Sequence, residues 1–292
     1  MRKIIAALMN RRELKLILRL IRRCSAHDAA QQGAALAYYL LFSLFPILIL
    51  ISSLIGQLRL DLSAVLEPVA PILPDGVMAL TDAYLSYVSE HVSISMLWFS
   101  AVFSVWFPMR ATGCLMRAVR RAYDMGIPKS RVLAAFKVLF FTVLLLVSLI
   151  LTLLLMTAGN RFMSALGRLL ALPKWFAGLW GILRFAALGA VIFAALSALY
   201  ALAQDKRRPL RDILPGSAAA TLAWIVLSLG YSFYVENLSN YSVIYGALGA
   251  VMVLLIWLYL SALTLIAGAE LNHILTEPPA RRDDRFYQGG TQ

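Results

Sequence analysis

Long apolar runs broken by short clusters of charge set the rhythm of this chain. The clearest run covers residues 245–272, YGALGAVMVLLIWLYLSALTLIAGAELN, and carries no charge before Glu270. At about 1.5 Å of rise per helical residue it is long enough to cross a hydrocarbon core of about 30 Å. Five more runs of similar length occupy residues 34–56, 94–116, 136–158, 181–203 and 213–235. They do not alternate polar and apolar positions in short segments, as barrel strands do. The pattern predicts an all-α polytopic membrane protein with six transmembrane helices, the last at 245–271, inside a domain of residues 31–273.

The connections have patterns of their own. In residues 1–30, Arg11, Arg12, Lys15, Arg19, Arg22 and Arg23 share one helical face, and Leu14, Ile17, Leu18 and Ile21 share another. That is a basic amphipathic helix suited to lying on the membrane surface as an orientation anchor. A contact with nucleic acid or a partner protein is the alternative. An apolar core followed by a small-residue cleavage site is missing there, so no cleavable signal peptide is expected. Between the first two runs, residues 57–93 hold one base and five acids. Pro74-Asp75 reads as a helix start with Asp75 as N-cap. Val77, Leu80, Tyr84, Tyr87 and Val88 then share a face, which predicts a short interfacial helix. Residues 159–179 are a second interfacial connection, and residues 274–292 a polar, mobile tail.

Composition sharpens this picture. Of 292 residues, 61% are hydrophobic and only 14% charged, unlike a soluble domain. A net charge of +12 would invite nucleic acid, but its placement favours a membrane. With the N-terminus inside, twenty of the 27 Lys and Arg fall in inner segments and four in outer ones. That bias puts both termini in the cytoplasm, with anionic headgroups at that face as partners and no nucleic acid. Cys24 and Cys114 form no disulfide framework. His27, His91 and His273 are scattered, so neither a metal nor a cofactor is expected.

Several residues stand out. Arg110 and Glu270 are charges placed within apolar runs, each costing about 3 kcal/mol on insertion scales. Both fall in the inner-leaflet half. Arg110 either pairs with Glu270 or binds a lipid phosphate; the alternative is that each snorkels to the headgroups. Tyr39 and Ser43 share an inward face with Pro46; together with Arg110, Glu270, Tyr259 and Ser261 they are candidate substrate or lipid contacts. Pro46, Pro108 and Pro215 are candidate hinges, with static kinks as the alternative. Gly246, Ala250 and Gly268 belong to a small-residue stripe that lets another helix approach closely. Gly246-x-x-x-Ala250 would equally serve a homo-oligomer. No phosphate-cradling loop, nucleophile elbow or clustered His/Asp motif is present, so the chain is expected not to be an enzyme.

The first and last runs also carry a resemblance. QGAALAYYLLFSLFPILIL, with its Tyr-Tyr…Ser-Leu-Phe-Pro, and the Trp-x-Tyr…Gly-Ala-Glu-Leu-Asn of the last run resemble the signature regions of the YihY / virulence factor BrkB family. The resemblance extends through the six-run layout and the basic loop after the second run. It implies a bacterial cytoplasmic-membrane protein. The family's older label, ribonuclease BN, is regarded as a misassignment, and its members are linked to serum resistance, envelope or osmotic phenotypes and lipid export. The resulting expectation is movement or handling of a lipid or other amphipathic substrate. A non-transporting scaffold for envelope machinery is the second reading, and a membrane-bound ribonuclease the weakest.

Overall fold

The computed structural model describes residues 12–58, 94–148, 174–205, 209–238 and 247–277. Apart from loops these residues are helical. α1 (Arg12–Ala26) is the basic amphipathic segment. At Asp28 the backbone turns left-handed, φ 54°. Asp tolerates that region better than most residues, because its short polar side chain bonds locally. The chain thereby breaks direction and enters α2 (Ala29–Leu58), which runs unbroken through Pro46. α3 (Ile94–Ala122) likewise continues through Pro108. α4 takes in Arg131–Ser148. α5 (Lys174–Leu202) leads through a short 3₁₀ turn, Leu210–Asp212, to α6 (Leu214–Leu238), and α7 is Ala247–Thr276.

α3 ends in a paired-bond cap. Met125 N–H donates to the Arg120 carbonyl at 2.9 Å and Asp124 N–H to that of Arg121 at 2.8 Å. This is the Schellman arrangement, with Asp124 in the left-handed position at φ 53° where glycine is usual. Its carboxylate has a use, described below.

Four helices contain stretches long and apolar enough to cross a bilayer: Ala29–Leu50, Arg131–Ser148, Leu214–Val235 and Leu248–Thr276. Their outward side chains are left bare. Phe136 is 66% exposed and Val226 69%. Apolar surface on that scale is stable against lipid, not water. The molecule is therefore an all-α, multi-pass membrane protein.

α7 lies at its centre, packed against α1, α2, α3 and α6. α6 and α7 run in opposite directions. Gly216 meets Asn272, Trp224 Nε1 donates to Ser261 Oγ at 3.0 Å, and Tyr231 Oη donates to the Val253 carbonyl at 2.6 Å. The crossing is close at Gly216 and Gly268. A Cβ on Gly216 would run into the Gly268 carbonyl and the Asn272 side chain. Fully buried Asn272 bridges the same place, accepting from Gly216 N–H at 2.6 Å and donating to the Ile213 carbonyl at 2.7 Å. It thus satisfies a first-turn amide of α6 that no intrahelical carbonyl can reach. Tyr200 adds a 2.6 Å bond to the Leu265 carbonyl.

These contacts bring the C-terminal ends of α3, α5 and α7 together with the N-terminal ends of α2, α4 and α6. Much of the buried core lies at that end, with Leu36, Val119, Phe141, Leu199, Ile213, Ile266 and Ile274.

Some boundaries differ from the sequence reading. Residues 174–179, expected in a connection, open α5. α7 runs past residue 274, where the polar tail was placed, because Ile274 is buried in the core. The interfacial helix expected after Asp75, the interfacial positions of residues 159–173, the turn at 239–244 and the tail from 278 lie outside the described residues.

Candidate functional site

Two constellations occupy the charged end of the bundle. The first is a cavity of about 580 Å³ between α3, α4 and the end of α5. One face of α3 lines it at helical spacing: Trp106, Met109, Arg110, Gly113, Met116, Arg117 and Arg120. The start of α4 contributes Lys129, Ser130, Arg131, Leu133, Lys137 and Val138. Six of the lining residues are cationic and one, Asp205, is acidic. Trp106, Met109, Leu133 and Val138 supply much of its apolar lining.

Arg120 fixes the floor. Its guanidinium forks onto Asp205 at 2.8 and 2.9 Å, and it also bonds the carbonyls of Ala203 and Gly126 at 3.0 and 2.9 Å. The Arg120 hydrogen bonds hold the Asp205 carboxyl below its usual range, with the nearby charges of Arg120, Lys137 and Lys129 acting the same way. Lys137 Nζ donates to the Gln204 carbonyl at 2.9 Å, tying α4 to the end of α5. Higher up, the Arg110 guanidinium stacks over two rings, 5.8 Å from the Tyr39 centroid and 5.6 Å from that of Trp106. Such cation–π contacts orient the group without neutralising it.

The second constellation joins α1, α3 and α7. Glu270 is fully buried and takes a 2.7 Å bond from Arg23 Nε, with His27 Nδ1 at 2.5 Å from its other oxygen. Arg23 also donates to the Ala122 carbonyl at 2.9 Å and reaches Asp124 at 3.3 Å. Nε2 of His27 and of His273 lie 3.4 and 3.2 Å from the two oxygens of Asp124. Burial works against the Arg23 charge, but the Glu270 bond and the charges of Glu270 and Asp124 outweigh it and hold the guanidinium above its ordinary range. Burial, with the Glu270 charge behind it, pushes the neighbouring Cys24 thiol up to about 11.

This corrects the sequence reading at its sharpest point. Glu270 pairs with Arg23 and His27, not with Arg110. The kink at Asp28 carries α1 across the end of α7, so Arg23, read as part of the basic face of α1, turns to Glu270 instead. His273, read as one of three scattered histidines, joins His27 in the cluster. Other expected residues fall as follows. Tyr39 orients Arg110 at the cavity. Ser43 is buried but donates to the Leu40 carbonyl of its own helix at 2.6 Å. Pro46 is buried inside α2, and Pro108 lies beside the cavity-lining Met109. Pro215 sits in the first turn of α6, where a missing N–H costs nothing. Tyr259 closes over Gly33, and Ser261 is taken by Trp224. Ala250 is half-buried on α7, Gly268 packs against α5 and α6, and Gly246 lies outside the described residues. The pattern of residue types missed Arg120, Asp205 and Asp124. A signal was present: Asp124 is the lone acid in its basic loop, and Asp205 stands directly before three consecutive bases.

The fold and this site define a helical integral membrane protein whose helix ends converge on a cation-lined cavity. The chain belongs to the virulence factor BrkB family, which it matches over residues 20–288. It is 30% identical over 268 residues to the ribonuclease-like protein YfkH of Bacillus subtilis, covering 92% of this chain and 98% of that one. Shorter matches join it to UPF0761 membrane proteins. That of Pseudoalteromonas atlantica is 35% identical over 77 residues, 26% of each chain. That of Alkalilimnicola ehrlichii is 41% identical over 81 residues, 28% of this chain and 18% of the other. No solved structure matches the chain.

Proposed function

We propose that the protein handles or moves a lipid or another amphipathic molecule within or across the bacterial cytoplasmic membrane, and that it does so without covalent chemistry. In this reading all six long helices cross the bilayer. The end that gathers α1 and the basic loops faces the cytoplasm, together with both termini. The observation that carries the reading is the cavity beside α3. It is large enough for a head group and the first part of a chain, is apolar along one wall, and is cationic toward the helix ends where headgroups lie.

Purified protein reconstituted in vesicles with a labelled anionic lipid tests this. Redistribution between leaflets faster than in empty vesicles is expected; an unchanged rate overturns it. A non-transporting scaffold is the second reading, favoured by the exposed Ile17, Leu18 and Ile21 of α1. A ribonuclease, the reading behind the name of the Bacillus relative, is the weakest.

A further inference from the structure

Charge balance in the cavity is the starting point. Arg110, Arg117, Arg120, Lys129, Arg131 and Lys137 line it. Its one carboxylate, Asp205, is engaged on both oxygens by Arg120. Among the described residues, no carboxylate stands within ion-pair distance of the other five cations. Like charges gathered beside low-dielectric walls repel, and their summed field draws in an anion.

Two further features point the same way. Arg110 and Arg117 lie two turns apart on one face of α3, about 10 Å along the axis, so their long side chains can converge on one group. The first turn of α4 opens on the cavity, capped by Ser130, whose hydroxyl accepts from Leu133 N–H at 3.2 Å. Its unpaired amides and dipole favour negative charge there.

We propose that this cavity binds a phosphomonoester: a phosphate group bearing close to two negative charges and no accompanying amine, carried on an apolar chain. The proposal rests on the reading of the cavity as an amphiphile site and names the head group it selects. The physical discriminator is the amine. A phosphocholine or phosphoethanolamine head brings a cation of its own into a ring of cations and loses most of the attraction. A monoester brings none. At neutral pH it carries about −1.5 to −2 charges and three strong acceptor oxygens, which suit arginine forks. The apolar wall of Trp106, Met109, Leu133 and Val138 then receives the adjoining methylenes.

Equilibrium binding to the purified full-length protein in detergent tests this apart from any transport. The probes are a short-chain phosphatidic acid, a phosphatidylcholine of the same chain length, and inorganic phosphate. Phosphatidic acid is expected to bind at least about tenfold more tightly than the choline lipid, and to weaken as pH falls from 7.5 to 5, because its second proton returns near pH 6. Arg117→Gln with Arg131→Gln is expected to weaken phosphatidic acid by about tenfold or more and to leave the choline lipid unchanged. Both residues are exposed, so the variant keeps its fold. Lys15→Gln on α1 is the control and changes nothing. Inorganic phosphate binding as tightly as phosphatidic acid supports the phosphate site and assigns it to a free phosphate. Equal affinity for the two lipids, or indifference to the double variant, overturns the proposal. Tight phosphatidic acid binding without redistribution in vesicles leaves this site standing and removes lipid movement. Redistribution without head-group preference does the reverse.

Discussion

Glu270 is a carboxylate with no exposed surface, and such a group stands only if its charge is met. Arg23 meets it from 247 positions away in the chain. Breaking a buried pair by removing one partner costs roughly 3–5 kcal/mol, because the survivor stays buried and unmatched. Arg23→Ala is therefore expected to lower the thermal unfolding temperature sharply in detergent. Arg23→Ala combined with Glu270→Gln is expected to recover part of the loss, giving a clear non-additive term in the cycle. Arg110→Ala with Glu270→Gln is expected to be additive, since the two residues belong to separate constellations. Glu270 announced itself in the sequence as the first charge after a long apolar run. Its partner did not, because periodicity places residues on faces of their own helix and says nothing of where that helix is carried. The left-handed turn at Asp28 decides the matter, and an aspartate there looks like any other loop acid.

Between elements, α6 and α7 are held by proximity. Lipid chains are as apolar as leucine, so no hydrophobic drive brings two helices together in a bilayer, and close packing with hydrogen bonds has to serve. Gly216 and Gly268 are where that packing is tightest, and Gly268 is the α7 side of it. A Cβ there would meet the Ala220 methyl at 2.5 Å, Tyr200 Oη at 2.6 Å and the Gly216 carbonyl at 2.9 Å. Gly268→Ala is expected to destabilise the protein by about 1–3 kcal/mol through this overpacking. Gly230→Ala, where nothing lies within 4 Å, is expected to be neutral or stabilising by up to about 1 kcal/mol from helix propensity. Thermal unfolding of the two variants side by side checks both. The small-residue stripe of the last run was legible because it follows from spacing alone. What it packs against was not. Asn272, which fastens the start of α6, reads in the sequence as an ordinary polar residue near a helix end.

Across the whole molecule, hydrophobic length carried the most information. That signal belongs to the solvent, which sorts apolar runs from charged ones whatever the tertiary detail, and the described part of each run is helical. The cavity was less legible. Its cations come from α3 and from the start of α4 with the loop before it, and only the fold brings these and Asp205 to one place. Tyr39 was picked out for its face on α2, yet its part is to seat Arg110, a contact between helices that no pattern along one of them contains. The central claim is that the helix ends gathered around these charges form the cytoplasmic face of a membrane protein. Ile127, in the loop between α3 and α4, is 82% exposed and so accepts a reporter without disturbing the core. With Cys24 and Cys114 replaced by serine, Ile127→Cys is challenged with a membrane-impermeant maleimide, in intact spheroplasts and after permeabilisation. Labelling only after permeabilisation is the expected result. Full labelling of intact spheroplasts would put this end outside the cell and contradict the orientation on which the proposed function rests.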